Sequence, residues 1–527
     1  MLIRGVAYLA LAVVVTWPTA ITMGALVPGA ERTDLWNSLW SFWYVSQALG
    51  DGSVPWETAL LGHPGGGVLW PADPLNAILA FPLVMLWGVP TAWSLLVVFH
   101  VTASGAAAHA LSARLGAGRG AWVAGVGWAC APILLSGLHN GTSEAVGGLW
   151  LPLAVLALVE ARDRGRFVLG AAALGICAVS SWYAGVCAGF FWLALLAFGP
   201  GRRALLLAGL GASLLTAPAA AVSLSASTSA DNLVGIKGER ETSVVRRTIG
   251  AADPRGWVMP GDFRSPDFAV HSRYGERFVH CHYLGFLLIG AAGIVLIRRR
   301  RVGFVAVAGA AGLVAAMGPV VVLDGEPVVV RGFALALPWL AVEQLPAVSS
   351  LSLLYRLAMA PSLALALLAA HASQRFAPWL ALAVLLELRG VAPAAALPEM
   401  TDVEPDPALL WLADADDGAV LNFPVVGGRA YLFEQTVHGK PLAATLNFPN
   451  NGSGVLVWDA ILETRDEPSE ARLERVRRVA QPRGIRYVVV HEDPDARPDH
   501  HDVAVQLLSE VLEPAARSEH MQVLALW

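Results

Sequence analysis

The apolar positions form long, continuous runs before residue 397 and short, alternating runs after it. A helix needs about 20 mostly apolar residues to cross a bilayer, and shorter runs are tolerated inside a thick bundle. Runs of this kind lie at 5–24, 91–111, 121–137, 145–160, 167–181, 183–199, 204–222, 283–297, 302–322, 352–370 and 376–396. The pattern predicts a polytopic α-helical membrane domain over residues 1–397, with about 11–13 spans, and we interpret its first run as an uncleaved helix.

Basic residues orient these spans, because cytoplasmic loops are enriched in Lys and Arg. The short basic connections are Arg114 with Arg119, 162–166, Arg202 with Arg203, 298–301 and Arg375. If all of them face the cytoplasm, the first loop (26–74), the long loop (223–282) and the tail after 397 face outward. This requires eleven crossings, with 75–88 re-entrant or along the interface. If 75–88 crosses, a further crossing is needed, for example near 326–342.

The pattern of the tail, residues 398–527, predicts a soluble α/β domain on the outer side of the membrane. Short β-branched runs at 419–426 and 485–490 are bounded by turn residues, which is typical of strands. Between them, 470–480 alternates charged and apolar residues at helical spacing. An open α/β sandwich buries such strands most simply.

Composition supports this division and excludes one class of partner. The chain is 56% hydrophobic and 15% charged, against about 25% charged in a soluble domain. The tail alone holds 11 Lys+Arg and 22 Asp+Glu, a normal soluble density. The net charge of the whole chain is -5, so nucleic acid is not an expected partner. We expect a multi-pass membrane protein, in contact with membrane lipids.

The first outer loop contains the most informative segment, 33–44, which is rich in Trp, Phe and Tyr. Thr33 is a plausible N-cap with Asp34 in the first turn, and the aromatic face suits a helix lying at the membrane surface. Asp34 either stabilises the helix N-terminus or acts as a general base beside a lipid-facing cleft. Asp73, before Pro74, is either a helix start or a second acid of the site.

These features together resemble the GT-C superfamily of integral-membrane glycosyltransferases, in an uncharacterised bacterial branch. The resemblance rests on Asp34 before a Trp-rich helix, Asp73-Pro74-Leu75, 137–139 leading to 149–153, 180–183, 283–285, 355–357, 438–441 and 484–491. It implies a location in the bacterial inner (plasma) membrane. It also implies transfer of a sugar from a polyprenyl-phosphate donor to a glycan, lipid or protein acceptor outside the membrane, with Asp34 as base. The sequence has a lone Asp there and no Asp-x-Asp or Glu-x-Asp pair, so no metal or other cofactor is indicated, although a divalent metal remains possible.

The chemistry that this resemblance implies needs few residues. An inverting transfer needs one base for the acceptor proton, while a phosphate leaves as a stable anion without a general acid. Cations must hold that phosphate, and Arg suits phosphate oxygens. Arg356 is the first candidate, although an Arg at a helix end also snorkels to the interface. Lys440 is the second candidate, although a turn Lys is commonly exposed.

Four further residues are candidates for substrate contact. His139 and Glu144 flank a short outer loop, where they either bind sugar hydroxyls and orient Asp34 or simply terminate helices. Trp182 and Tyr183 lie at another outer turn, where an aromatic ring either stacks on a sugar or belongs to the interfacial aromatic belt.

Two further possibilities remain open. The long loop carries Lys237, Arg240, Arg246 and Arg247, and either gates a substrate or connects two spans. The competing class of function is a non-enzymatic transporter or envelope-assembly scaffold. A transporter usually carries partnered ionisable groups in mid-span. Here almost every charge falls in a loop, with Glu387 as the exception, which favours chemistry at the outer interface.

Overall fold

The structure is a computed structural model that describes most of the chain. The described residues are 2–228, 233, 250–261, 278–298, 303–345, 348, 351–372, 374–391, 398–423, 429–446, 452–464, 466–492 and 506–527. The long-loop residues singled out above, Lys237, Arg240, Arg246 and Arg247, lie outside these ranges.

Helices dominate the first part of the chain, as the apolar runs predict. In the described residues they are α1 Leu2–Val15, α2 Thr19–Thr22, α3 Leu35–Gly50, α4 Pro74–Arg114, α5 Ala121–Ala129, α6 Pro132–His139, α7 Ser143–Val146, α8 Trp150–Arg164, α9 Phe167–Ser180, α10 Trp182–Phe198, α11 Arg202–Thr228, α12 Phe286–Arg298, α13 Gly303–Ala316, α14 Trp339–Val342, α15 Met359–Ala369 and α16 Ala377–Val391. Each predicted run contains a helix. A 3-10 turn, Leu354–Ala358, leads into α15.

Within the described ranges, three helical segments are long and apolar enough to cross a membrane by length and composition: Pro74–Arg114, Gly118–His139 and Arg202–Ala226. The ambiguous run 75–88 is the first half of α4 and is continuous with 91–111. The two halves meet at Gly88, whose φ of 77° breaks the helical geometry, with Pro90 just beyond it. Pro lacks an amide hydrogen and kinks a helix interior, which explains a bend at this point.

The alternative of a further crossing near 326–342 is wrong. This segment forms two short hairpins, with strands β4 Val322–Leu323, β5 Glu326–Pro327, β6 Val329–Val330 and β7 Phe333–Ala334, followed by the four-residue α14. Positive φ angles at Asp324 and Arg331, each followed by a Gly, form the hairpin turns. A continuous helix cannot pass through them.

The tail contains the predicted strands and helix. Strands β9 Ala419–Phe423 and β10 Ile485–His491 are parallel neighbours, and β12 Met521–Ala525 and β11 Ala516–Arg517 extend the sheet in the order β11-β12-β10-β9. The tail helices are α17 Pro407–Asp414, α18 Ala430–His438, α19 Gly452–Glu463 and α20 Ser469–Ala480. The predicted strand residues 424–426 lie outside the described residues.

The first loop and the tail are joined by a short sheet and a helix contact. Strand β1 Leu26–Pro28 pairs antiparallel with β8 Met400–Asp402. The Trp40 indole donates to Gln435 Oε1 of α18 (2.7 Å), and the Trp36 ring stacks on Phe433 with centroids 5.1 Å apart. Both tryptophans are buried. The aromatic face of α3 is therefore covered by the tail, whereas the sequence had placed it at the membrane surface. Packing against the tail removes the aromatic surface of α3 from water, which explains why this helix differs from the prediction.

Candidate active site

Asp34 lies where the first loop, the 140–144 loop and the tail meet. It occupies the N-cap position of α3, which the sequence had assigned to Thr33, but its carboxylate makes no capping hydrogen bond. The carboxylate instead pairs with Arg429 NH1 at 2.5 Å and with Arg356 NH2 at 3.7 Å, and Thr142 Oγ1 donates to it at 3.4 Å. Its role is therefore more than that of a helix cap.

Arg356 links Asp34 to a second carboxylate. Its NH1 donates to Glu144 Oε1, and its guanidinium lies over the Tyr183 ring, 5.4 Å from the centroid. The Tyr183 hydroxyl accepts from the Leu353 backbone amide at 3.0 Å, which fixes the ring. Burial raises the pKa of the Glu144 carboxyl, and the Arg356 charge opposes that rise. Two carboxylates and two guanidiniums thus form one cluster.

An open cleft of about 750 Å³ adjoins this cluster. Of the residues predicted from sequence, Asp34, Asp73, Glu144 and Trp182 line it, while Arg356 and Tyr183 lie behind Glu144. The rest of the lining comes from Asn37, Ser38, 70–72, Pro74, Thr142, Ser143, 179–181 and Leu446. The lining combines hydroxyls and carboxylates with apolar walls, as is common in small-molecule sites.

Asp73 is buried beside the cleft at the start of α4. Its φ of 47° is left-handed, and its carboxylate accepts from the Asn76 backbone amide (3.2 Å) and the Asn76 Nδ2 (2.5 Å). His100 Nε2 lies 3.1 Å from Asn76 Oδ1 and orients the amide. Burial raises the pKa of Asp73 to about 7, and the Asn76 hydrogen bonds limit the rise.

Replacing Asp73 by Asn should therefore change how stability depends on pH. Because burial raises the pKa of Asp73 in the folded state, ionising this carboxyl destabilises the fold. The loss grows as pH rises from about 4 to about 7 and reaches about 4 kcal/mol. Asp73→Asn removes this cost, so its Tm relative to wild type should rise between pH 5 and pH 8. Thermal melts of the detergent-solubilised proteins measure this. A Tm difference that is flat with pH, as expected for exposed Asp51→Asn, would contradict the account.

The 140–144 loop reaches Asp34 because Gly141 allows close packing. Gly141 has a φ of 59°, and a Cβ there would collide with the Leu35 backbone. Asn140 anchors the same loop through two hydrogen bonds with Val279, Nδ2 to O at 2.9 Å and N to Oδ1 at 2.8 Å. The neighbouring Thr142 and Glu144 thereby face Asp34.

Gly141→Ala is expected to lower activity about 100-fold, because a shift of about 1 Å in catalytic groups costs that much. The matched control is Gly52→Ala. Gly52 has a similar φ of 68° but open space around it, so the control bears the backbone strain without the collision. Steady-state turnover of the two variants measures the difference. Equal turnover in both would show that the close packing at Gly141 does not position Asp34.

Two predicted residues are not brought to the cleft. Lys440 is buried in the tail, where its Nζ donates to the carbonyls of Ala415 (2.7 Å) and Asp416 (3.0 Å) just after α17. It satisfies carbonyls that the helix end leaves open. His139 ends α6, and its backbone carbonyl accepts from the Ala30 amide at 2.6 Å, which ties the first loop to the 140–144 loop.

Sequence reasoning missed Arg429 and Trp70. Arg429 precedes α18 with a left-handed φ of 67°, and it meets Asp34 across 395 residues of chain. No local pattern signals such a contact. Trp70 lines the cleft and lies in a row between Trp56 (ring centroids 6.0 Å apart) and Trp182 (6.2 Å). An aromatic residue one position before Pro71 in an outer loop was the available signal for Trp70.

Asp34 and Glu144 face guanidiniums, while Asp73 is bound by Asn76. Within the described ranges, no group of three or more His, Cys, Asp or Glu side chains is arranged to hold a metal ion. The arrangement provides a carboxylate between two guanidiniums, together with hydroxyl groups and an aromatic wall. This set can hold a phosphate and remove a proton from a hydroxyl group.

Comparisons with known proteins bear on the fold. No family model matches the sequence, and no curated protein matches it significantly. The Archaeoglobus fulgidus oligosaccharyltransferase superposes with a TM-score of 0.53 at 12% identity, covering 93% of this chain and 67% of that chain. The same organism's AglB, solved with an inhibitory peptide and a dolichol-phosphate, gives 0.52 at 12% identity, with 92% and 69% covered.

A third similar structure comes from a different enzyme. Mycobacterial arabinofuranosyltransferase AftD gives a TM-score of 0.54 at 18% identity, covering 99% of this chain and 41% of that much longer chain. At these identities the likeness concerns the fold. The chain shares the fold of these oligosaccharyltransferase and arabinofuranosyltransferase structures, which is the kind of fold that its resemblance to the GT-C superfamily predicts.

Proposed function

We propose that the chain is a membrane glycosyltransferase that moves a sugar from a polyprenyl-phosphate donor to an acceptor, with Asp34 as the base. The observation that carries the proposal is the position of Asp34, in a cleft and between the guanidiniums of Arg429 and Arg356. The fold supports it, as does the dolichol-phosphate bound to the AglB relative.

The two arginines supply the phosphate site in this proposal. Arg356 is buried and held by Glu144, while Arg429 is the more exposed of the two. Arg forks bind phosphate oxygens in pairs and stabilise the charge that the leaving phosphate gains. The donor phosphate takes over the guanidinium contacts that Asp34 makes in the free protein. The displaced carboxylate is then free to accept a proton.

The transfer step needs one base. The acceptor hydroxyl gives its proton to Asp34 as its oxygen attacks the anomeric carbon from the face opposite the phosphate. The bond from that carbon to the phosphate oxygen breaks, and the polyprenyl phosphate leaves as an anion. The product has the inverted anomeric configuration. Trp182 and Trp70 provide an aromatic wall for the sugar, and the hydroxyl of Ser38 provides polar contacts.

The setting follows from the same proposal. The cleft and the tail lie on the outer side of a bacterial plasma membrane, where the donor lipid presents its sugar and the acceptor is a glycan, lipid or protein. The helices Pro74–Arg114, Gly118–His139 and Arg202–Ala226 anchor the site in the membrane. The basic connections Arg202 with Arg203 and 162–166 then face the cytoplasm.

The test is a survey of donors. Purified protein in lipid nanodiscs is given radiolabelled polyprenyl-phosphate hexoses and pentoses, and released sugar and free polyprenyl phosphate are counted. We expect turnover with one donor class. Absence of turnover with every donor, while the protein still binds the lipids, would contradict the proposal and favour a transporter or scaffold. A transporter would instead move the labelled lipid between leaflets unchanged.

Arg429→Gln should weaken donor use without unfolding the protein. Hydrogen bonds to charged groups contribute about 1.5–3 kcal/mol, so the KM for donor should rise about 10- to 100-fold. Arg478→Gln is the matched control, because Arg478 is an exposed tail arginine whose partner is the exposed Glu474. Steady-state kinetics separates KM from kcat. An unchanged KM would remove Arg429 from the phosphate site.

A further inference from the structure

A second, larger cavity lies between the first loop and the tail. It has a volume of about 1770 Å³, including its open mouth. Helix α18 separates it from the Asp34 cleft: Arg429, at the start of this helix, reaches Asp34, while Tyr431, Phe433 and Glu434 line the second cavity. The two sites are therefore neighbours with a common wall.

The floor of this cavity lies at the carboxyl ends of two parallel strands. Asn422 is near the end of β9, and His491 is the last residue of β10, which runs parallel beside it. In open α/β sheets, ligands bind in the crevice outside the carboxyl ends of parallel strands, because loops and helix ends present polar groups there. The position of the cavity is thus that of a binding site.

The floor carries polar groups prepared for a ligand. Asn422 is 2% exposed, and among the described residues its Nδ2 has no hydrogen-bond partner. A buried, unsatisfied donor costs about 1–3 kcal/mol, which a ligand acceptor atom would recover. His491 lies between the Phe423 carbonyl oxygen (2.8 Å from Nδ1) and the Glu434 carboxyl group (2.7 Å from Nε2), and these contacts hold Glu434 in place. Glu434 keeps lone pairs for a further donor.

The rim restricts the charge of the ligand. Its acidic side chains outnumber the basic ones: Glu31, Asp402, Glu404, Asp406 and Glu492 against Arg32 and His520. Such a rim repels phosphates and uronic acids. The carboxylates accept hydrogen bonds from hydroxyl groups, and the half-buried Phe433 ring supplies an apolar surface in the cavity wall. Hydroxyl groups on an uncharged, ring-shaped ligand match this set.

We propose that this cavity is a carbohydrate-binding site for a neutral oligosaccharide, separate from the cleft at Asp34. Asn422 donates to a sugar oxygen, and Glu434, held by His491, accepts from a sugar hydroxyl. Binding here requires no transfer chemistry, so the inference stands or falls apart from the proposed function.

The test measures binding by the full chain in nanodiscs. The probes are neutral linear oligosaccharides of arabinose, mannose and glucose, with an oligouronic acid and oligolysine as charged comparisons. Saturation-transfer NMR identifies the bound probe, and calorimetry gives its Kd. We expect a neutral probe to bind, with at least a tenfold weaker Kd in Asn422→Ala and in Glu434→Gln. Asp34→Asn should bind it within about twofold of wild type.

A variant that blocks the cavity mouth provides a second test, because replacing the buried Asn422 or Glu434 can itself disturb folding. Glu404 is exposed on the rim, and Cys130, Cys177, Cys187 and Cys281 are all buried. Glu404→Cys labelled with a bulky maleimide should abolish glycan binding with an unchanged melting curve. Glu513→Cys with the same label is the control. The inference is overturned if no neutral probe binds, if only a charged probe binds, or if blocking and both floor variants leave the Kd unchanged.

Discussion

Asp34→Asn is expected to reduce sugar transfer about 1000-fold while donor affinity holds or improves. A general base contributes about 10²- to 10⁴-fold to the rate, and an amide cannot accept the acceptor proton. In the free protein the Asp34 carboxylate occupies Arg429 and Arg356, the same guanidiniums that we assign to the donor phosphate. Removing its charge removes a competitor, so the Kd for donor should fall about two- to tenfold.

A loss of turnover without a loss of donor affinity distinguishes a catalytic base from a structural residue. Turnover is followed with radiolabelled donor, and Kd is measured by displacement of a fluorescent polyprenyl phosphate. Asp51→Asn, an exposed change at the other end of α3, should leave both values unchanged. A variant at Asp34 that loses donor binding together with turnover would show that the carboxylate holds the site together and does not act as base.

Arg356→Ala is expected to destabilise the protein by about 1–3 kcal/mol, because it removes a buried guanidinium and leaves the half-buried Glu144 carboxylate without its partner. Adding Glu144→Ala should restore a large part of the lost Tm, since the unpaired charge is then gone. Donor binding should remain lost in both variants. Arg478→Ala, which breaks an exposed pair with Glu474, should cost less than about 1 kcal/mol.

Thermal melts of the single and double variants in the same lipid measure this. If Arg356→Ala and the double variant melt alike, the pair is not the source of stability at this site. If the double variant binds donor as wild type does, the phosphate is held elsewhere.

The helices and the tail strands follow from sequence because their signals are local. Apolar runs predicted helices at 121–137 and 204–222, and β-branched runs predicted β9 and β10. Gly88 with Pro90 nearby is a typical helix-breaking signal, and α4 has a kink between its two halves at this point. The hairpins at 322–334 were missed because a hydrophobic run alone does not distinguish a span from short apolar strands.

The site residues likewise divide into those that the local sequence predicts and those that depend on contacts between distant segments. Asp34, Asp73, Glu144 and Trp182 were predicted from their places in outer loops, and the structure brings them to one cleft. Arg429 depends on the docking of the tail over α3, a contact between distant parts of the chain that no local pattern encodes. Lys440 illustrates the converse. It is one of two lysines in the chain, yet its ammonium group caps backbone carbonyls inside the tail.

The most direct test of the account is the position of the donor phosphate. A non-cleavable phosphonate analogue of the best donor would be bound to the protein in nanodiscs and its structure determined by cryo-electron microscopy. The account predicts the phosphonate between the guanidiniums of Arg356 and Arg429, with the Asp34 carboxylate released from Arg429 and facing the acceptor's position, on the side of the anomeric carbon opposite the phosphonate. A head group bound elsewhere, with the pair between Asp34 and Arg429 intact, would contradict it.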